Sequence, residues 1–233
     1  MRKIIIAVSV VLGSMLALSG CNNRAEGVAV VPAEFKPMQQ SYKGVLPCAD
    51  CGGIETSLFL EKDGSWVMQQ EYQGRGDGAV TASWGTWART ANKLTLTATD
   101  GEKWYFHPQG DSLVMLDKQG DSIHSSLNYT LKPAQQALPV QPMPMRGLYK
   151  YMADTATFTD CATGKRFSVV SNIALERGYR ANRKPDMEPV LVVLDAHFTR
   201  EPNPDTGVMH IALVADSEGI FKPDTGCSTT AQQ

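Results

Sequence analysis

Short runs of alternating apolar and polar residues, separated by turn sequences, fill residues 41–133. The clearest runs are 54–60 and 94–98, and further strand-like runs follow at 66–72, 83–88, 104–106, 113–116 and 129–131. Asp63-Gly64 and Asp100-Gly101 are typical of tight turns between such runs. A period of two residues is that of a β-strand with one buried face, and short turns join antiparallel neighbours. The pattern predicts an antiparallel meander of seven or eight strands.

Closure of this meander into a barrel follows from the problem of exposed edges. An open sheet leaves unpaired backbone groups along its first and last strands, and an up-and-down barrel removes both edges. We therefore expect a lipocalin-like antiparallel β-barrel over residues 41–132. A periplasmic carrier that holds a lipid or small apolar ligand inside this barrel is an alternative function that the pattern leaves open.

A proline-rich segment separates the barrel from a second module. Residues 133–145 carry four prolines and no charged side chain, which predicts a semi-extended linker. Met143 and Met145 lie in this segment, and we interpret them as spacer residues rather than as ligands of a soft metal ion. The linker predicts a domain boundary at residue 146.

The second module, residues 146–233, has the element order of an OB-fold. Strand-like runs at 147–152, 155–159 and 166–170 precede a predicted helix at 173–182, which has Ser171-Asn172 as its N-cap. Two further strand-like runs follow at 189–198 and 209–215. Five strands with a helix between the third and the fourth predict an OB-fold. Gly178 inside the helix costs about 1 kcal/mol relative to alanine, so the helix needs tertiary support.

The first 20 residues predict a secretory signal peptide. Arg2 and Lys3 precede an uncharged apolar run at 4–18, which is too short for a membrane span. The run ends in Leu18-Ser19-Gly20-Cys21, which resembles the lipobox of bacterial lipoproteins. The resemblance makes Cys21 the acylated (palmitate-bearing) lipid anchor, and the alternative is an ordinary signal peptide with a chance cysteine. Residues 21–40 then predict a flexible tether.

Charge and motif content exclude several function classes. The formal net charge is −2 and no Lys/Arg-rich run is present, which argues against a nucleic-acid partner and against electrostatic lipid binding. Asp-Thr-Gly occurs at 205–207 and 224–226, but a proline precedes each copy, as is typical of a surface turn rather than of an aspartic protease. The four histidines are scattered. We expect no enzymatic activity.

Four cysteines remain beside Cys21, and an oxidising periplasm allows them to form disulfides. Of the three pairings, the division by the linker favours Cys48 with Cys51 and Cys161 with Cys227. The second bond would close a loop of about 65 residues and contribute roughly 4 kcal/mol on the chain-entropy estimate. Its absence would report that oxidative folding has failed.

Cys48 and Cys51 admit more than one chemistry. A disulfide between them closes a loop that offers under ~2 kcal/mol. A thioredoxin-like redox role requires a helix after the first cysteine, but Gly52-Gly53 and a predicted strand follow. Two thiolates on an accessible loop are also suitable ligands for Cu(I). A copper site and a plain disulfide remain equal alternatives on the residues alone.

Three stretches of the chain together resemble the NlpE (CutF) family of enterobacterial outer-membrane lipoproteins. They are Leu18 to Cys21, Tyr42 to Cys51 and Tyr151 to Phe167. The resemblance covers essentially the whole chain. It implies a lipocalin-like barrel followed by an OB-fold, a copper role for Cys48 and Cys51, and a Cys161–Cys227 disulfide.

The same resemblance implies a location and a signalling role. Asn22-Asn23 after the lipobox cysteine, in place of an inner-membrane retention signal, points to the outer membrane, with the protein facing the periplasm. The family implies activation of the Cpx two-component pathway through the sensor kinase CpxA, in response to surface adhesion, to defects in the lipoprotein trafficking machinery or to failed redox folding. It also implies that the N-terminal module contacts the kinase.

Overall fold

The computed structural model describes residues 40–75, 80–170, 173–203 and 206–228, which form two β-structured domains. The first is a closed barrel in which each strand pairs with the next and β1 pairs with β8. Its strands are β1 (Gln40–Leu46), β2 (Ile54–Leu60), β3 (Ser65–Tyr72), β4 (Val80–Arg89), β5 (Leu94–Ala98), β6 (Lys103–Gln109), β7 (Ser112–Met115) and β8 (Thr130–Pro133). The predicted meander and its closure are confirmed.

The barrel interior is filled by the protein's own side chains. Trp66 is fully buried there, and its indole N–H donates to the carbonyl oxygens of Thr86 at 3.1 Å and Thr97 at 3.3 Å. The other members of this cluster are large apolar residues from six strands: Tyr42, Leu46, Leu58, Leu60, Met68, Leu94, Leu96, Phe106, Leu113 and Leu131. This close packing disfavours the carrier hypothesis, since a carried ligand would have to displace these side chains.

The structure corrects the two ends of the barrel region. Gln40, which we assigned to the tether, begins β1. Pro133 ends β8 opposite Tyr42, so the connection between the domains begins one residue later than predicted. These residues pair with strands on the far side of the barrel, and pairing of this kind leaves no local sequence signal.

The interpretation of Met143 and Met145 as spacer residues is wrong. Strand β9 already begins at Met143, and both methionine side chains are buried in the second domain's core. Pro144 between them is tolerated because β9 pairs here with β12, whereas its pairing with β10 starts at Gly147.

The second domain is an OB-fold with one added strand. Its elements are β9 (Met143–Met152), β10 (Thr155–Asp160), β11 (Arg166–Val170), α1 (Ile173–Asn182), β12 (Val190–Pro202), β13 (Met209–Ala215) and β14 (Ile220–Lys222). Parallel pairing of β11 with β13, together with the β12–β13 and β12–β9 pairings, closes the five main strands into a barrel. The predicted fold class is confirmed, while β12 runs beyond Phe198 and β14 was not predicted.

Helix α1 receives the tertiary support that its glycine requires. Leu175 and Tyr179 are buried, and the Tyr179 hydroxyl donates to the carbonyl of Met187 at 2.9 Å. Burial raises the pKa of the Tyr179 phenol above its usual value. Gly178 lies against the ring of Phe221 from β14, and a Cβ there would approach the ring within 2.2 Å. The glycine therefore makes room for the last strand.

Several predicted features lie outside the described residues. They include the signal peptide, the lipobox with Cys21, nearly all of the tether, the Ser171-Asn172 cap and Asp205. Within the described ranges, no helix combines the length and the hydropathy that a membrane crossing requires.

Candidate functional site

Cys48 and Cys51 form a disulfide in the loop between β1 and β2, at one end of the first barrel. The carboxylate of Asp50 lies between them, with its Oδ1 3.5 Å from the Sγ of Cys48. Arg75, which follows β3, forms an ion pair with the same carboxylate. The side chains of Arg75 and Asp50 are 50% and 69% exposed, so water screens this pair. The loop is accessible to reagents in solution.

The C-terminal side of this loop is fixed to the barrel. The Gly52 amide donates to the Gln73 carbonyl at 3.1 Å, and the Gln73 amide donates to the Gly53 carbonyl at 2.9 Å. Gly53 has a φ of +147°, and a Cβ on it would meet the Val45 side chain at 2.6 Å. Strand β2 follows directly. The cysteines therefore lack the helix that lowers a thiol pKa in thioredoxin-like proteins.

The same three residues are a candidate metal-binding group. Within the described ranges, the ligand atoms of Cys48, Asp50 and Cys51 come within 4.8 Å of one another. The two sulfurs are bonded to each other, so a soft metal ion could be held only after reduction to thiolates. In that form the donor set suits Cu(I). The sequence argument overlooked Asp50, although its position between the cysteines is a usable signal.

Cys161 and Cys227 form the second disulfide, which connects residues 66 apart in the sequence. Arg146 reinforces this connection by donating to the carbonyl oxygens of Gly226 at 2.9 Å and Cys227 at 3.1 Å. The backbone carbonyl of Arg146 also accepts from the Cys161 amide at 3.0 Å. The C-terminal segment is thus held both covalently and by hydrogen bonds.

The second disulfide borders the first barrel. A cleft of about 480 Å³ is lined by Cys161 and Cys227 on one side and by Thr99 and Asp100 of the barrel's β5–β6 turn on the other. The bond therefore lies beside the junction of the two domains. Its distance from the membrane-anchoring end of the chain along the sequence gave no indication of this position.

The junction itself is an apolar contact. Phe59, Val67 and Trp84 form a cross-strand row on the outer face of β2, β3 and β4, and each is 2% exposed or less. The Trp84 ring packs edge-on against Phe167 and Phe198 of the OB-fold, with centroid distances of 5.5 and 5.1 Å. These side chains belong to the same apolar cluster as the OB-fold core. The two domains therefore share one continuous core.

Two ion pairs flank this contact at the β2–β3 turn. Arg200 of β12 pairs with Glu61, whose side chain is 7% exposed. Lys165, in the turn between β10 and β11, donates to the backbone carbonyl of Asp63 and lies 3.3 Å from its carboxylate. A buried carboxylate needs its partner, because an unpaired buried charge is strongly destabilising.

The sequence analysis missed this junction. It assigned Leu58 and Leu60 to the buried face of β2 and did not use Phe59 between them. The available signal is that residues 58–60 and 66–68 are continuously apolar, so these strands are apolar on both faces. A half-exposed strand would alternate.

One polar cluster on the OB-fold resembles a hydrolase site in composition only. The hydroxyl of Ser168 lies 2.9 Å from Nε2 of His210 and 3.2 Å from the carboxylate of Glu201. In a nucleophilic triad, the carboxylate binds the ring nitrogen opposite the nucleophile. Here Glu201 lies on the Nε2 side, while Nδ1 is buried without a hydrogen-bond partner in the described structure. This arrangement does not orient the imidazole as a base.

The Asp-Thr-Gly copy at 224–226 follows strand β14 in a turn, as predicted. The Thr225 amide donates to the Lys222 carbonyl at 3.2 Å, which closes that turn. In the copy at 205–207, the Gly207 amide donates to the Asn203 carbonyl at 2.8 Å. Both motifs have the local hydrogen bonds of surface turns.

Comparison with known proteins agrees with this architecture. The family model described as the NlpE N-terminal domain matches residues 42–126, and that described as the NlpE C-terminal OB domain matches residues 139–228. Lipoprotein NlpE of Escherichia coli (strain K12) is 55% identical over 235 residues, which is 99% of each chain. The chain belongs to the NlpE family.

A solved structure of an NlpE protein is also similar. The crystal structure of the Cpx pathway activator NlpE from E. coli is 55% identical and covers 83% of this chain and 100% of its own, with a TM-score of 0.41. NlpE is thus the family that the three sequence stretches indicated. The matched families are those of a lipoprotein and not of a known enzyme.

Proposed function

We propose that this NlpE-family chain is a non-enzymatic, lipid-anchored sensor that activates the Cpx pathway through the sensor kinase CpxA. The observation that carries the proposal is 55% identity, over 99% of both chains, to an E. coli lipoprotein, together with the description of the E. coli NlpE structure as a Cpx pathway activator. A relationship of this extent covers both domains and the connection between them.

Location is part of the proposed mechanism. Acyl groups on Cys21 hold the protein at the periplasmic face of the outer membrane, since two acyl chains give stable membrane binding where a single chain does not. Failure of the lipoprotein trafficking machinery would leave the protein nearer the inner membrane and the kinase. Surface adhesion and failed disulfide formation are the other two proposed triggers.

The signalling proposal is tested in a strain that lacks its own NlpE and carries a Cpx-dependent reporter. Raised expression of this chain is expected to increase the reporter signal several-fold. The Cys21→Ala variant, which cannot be acylated, is expected to change that response, and a Cys48→Ser/Cys51→Ser variant serves as a control with an intact lipobox. An unaltered reporter at all expression levels of the wild-type chain would reject the proposal.

Copper handling is the second part of the proposed function. In the reduced protein, Cys48 and Cys51 would offer two thiolates on an exposed loop, which is the donor set that Cu(I) prefers. Reduction adds two electrons and two protons to the disulfide, and the thiol protons leave when the metal binds. Bound copper would supply no catalysis in this proposal, and the loop would act as a store or sensor.

The copper proposal is tested by titrating the reduced protein with Cu(I) against a chromophoric chelator under anaerobic conditions. One equivalent of tight binding is expected, and Cys48→Ser/Cys51→Ser should abolish it. Cys161→Ser/Cys227→Ser removes the same number of thiols elsewhere and should leave it in place. Equal binding by both double variants would exclude this loop as the copper site.

A further inference from the structure

The OB-fold covers an apolar face of the first barrel. Phe59, Val67 and Trp84 lie outside the barrel wall, yet the OB-fold leaves them almost inaccessible to solvent. An aromatic side chain alone buries roughly 150–250 Å². Separation of the domains would therefore expose a contiguous apolar surface of the kind that binds other proteins.

The covered state carries internal costs that make separation feasible. The indole N–H of Trp84 is buried without a hydrogen-bond partner within the described ranges, and such a group would regain water on separation. Glu61 and Arg200 are likewise removed from water to form their ion pair. Desolvation of two charges can offset most of their attraction.

The second disulfide is mechanically connected to this junction. Cys161 begins the turn that ends at Lys165, and Lys165 contacts Asp63 of the first barrel. Within the turn, Asp160 accepts from the amide and hydroxyl of Thr163 at 2.7 and 2.8 Å, and the Asp160 amide donates to the Lys165 carbonyl at 2.8 Å. A change in the restraint at Cys161 is therefore felt at Lys165.

We propose that docking of the OB-fold onto the Phe59–Val67–Trp84 face is an inhibitory contact, and that the Cys161–Cys227 bond maintains it. In the oxidised, docked protein the face is covered and the signal is off. Loss of the bond loosens the 160–165 turn, the OB-fold separates, and the uncovered face becomes available to the signalling partner. This inference rests on the proposed function and adds its regulation.

The test breaks the junction without touching either disulfide. Arg200→Glu places a carboxylate against Glu61, and the double exchange Glu61→Arg/Arg200→Glu restores an opposite-charge pair. Lys43→Glu is the matched control, because it makes the same charge change at an exposed ion pair on the first barrel, Lys43 with Glu55 at 2.5 Å. Hydroxyl-radical footprinting of the full-length protein measures Trp84, with Trp66 inside the barrel as an internal reference.

We expect Arg200→Glu to raise the labelling rate of Trp84 at least about tenfold, since an unpaired buried charge costs several times the energy of a tenfold change. Trp66 labelling should not change, and the Cpx reporter should rise. The charge exchange should return both readouts toward wild type, and Lys43→Glu should match wild type throughout. If Arg200→Glu also raises Trp66 labelling, the milder Lys165→Glu is judged by the same criteria.

The disulfide link has its own readout. Cys161→Ser/Cys227→Ser is expected to raise Trp84 labelling and the reporter together. A raised reporter with unchanged Trp84 labelling would overturn the inference, as would exposure of Trp84 in Arg200→Glu without a change in the reporter. Both of those results leave the proposed function intact, whereas a silent wild-type chain at every expression level rejects the proposed function itself.

Discussion

The two cysteine pairs of this chain form the same bond in very different settings. Cys48 and Cys51 are three residues apart, in a loop that faces solvent at one end of a barrel. Cys161 and Cys227 are 66 residues apart, and their bond borders the cleft between two domains. The comparison teaches that the restraint exerted by a disulfide comes from the chain it closes and from the groups packed beside it.

The neighbouring hydrogen bonds extend this contrast. Arg146 binds the carbonyl oxygens of Gly226 and Cys227, so the long-range bond is supported by a second restraint. The short-range bond has Asp50 and Arg75 beside it, which are exposed and screened by water. The first setting favours a structural role, and the second favours exchange chemistry and ligand binding.

The largest expected effect comes from removal of the long-range bond. Cys161→Ser/Cys227→Ser should lower the free energy of unfolding of the OB-fold by about 4 kcal/mol, because the unfolded chain regains the freedom of a long loop. Urea denaturation, followed by hydrogen exchange of the β12 amides, measures the change. A loss below about 1 kcal/mol would remove the distinction between the two pairs.

Arg146→Ala tests the supporting hydrogen bonds. We expect a loss of about 2 kcal/mol, since the variant removes charged donors from two carbonyl groups while the disulfide remains. The same denaturation experiment measures it, and Arg177→Ala on the exposed side of α1 is the matched control. Identical unfolding curves for the two variants would show that the disulfide alone holds the C-terminal segment.

Removal of the short-range bond should have a smaller effect. Cys48→Ser/Cys51→Ser is expected to lower the unfolding free energy of the first barrel by less than about 2 kcal/mol, because a loop of four residues has little entropy to regain. Intrinsic fluorescence follows this barrel selectively, since Trp66, Trp84, Trp87 and Trp104 all lie in its strands. A loss as large as that at Cys161–Cys227 would contradict the comparison.

The smallest expected effect is that of Arg75→Ala. The ion pair with Asp50 is exposed, so its removal should change the unfolding free energy by no more than about 0.5 kcal/mol. The affinity of the reduced protein for Cu(I) should also stay within about twofold of wild type if two thiolates are the ligands. A large gain in affinity would instead identify the released Asp50 carboxylate as a third ligand.

Local patterns determined much of the fold. Alternation in 54–60 and 94–98 predicted β2 and β5 with the bounds that the structure has, and the predicted helix coincides with α1. These elements are set by the period of their apolar residues. Strand β14 has three residues, which is too short to produce a period, and so it was not predicted.

Other features depended on contacts that a local pattern does not contain. Met143 and Met145 looked like part of a proline-rich spacer, but pairing with β12 buries both. Gly178 looked like a defect in a helix, and Phe221, 43 positions later in the sequence, is the reason for it. In each case the decisive neighbour is distant along the chain.

The sequence by itself determined the strand periods, the two-domain division of the cysteines and the family, because each of these is carried by local spacing or by residue identity. Tertiary structure decided which face of the first barrel is covered and where the Cys161–Cys227 bond lies relative to it. The physical reason is that burial of an outer barrel face depends on the docking of a second folded domain. No single strand encodes that contact, so the shared core, the Glu61–Arg200 pair and the position of the bond beside them became visible only in three dimensions.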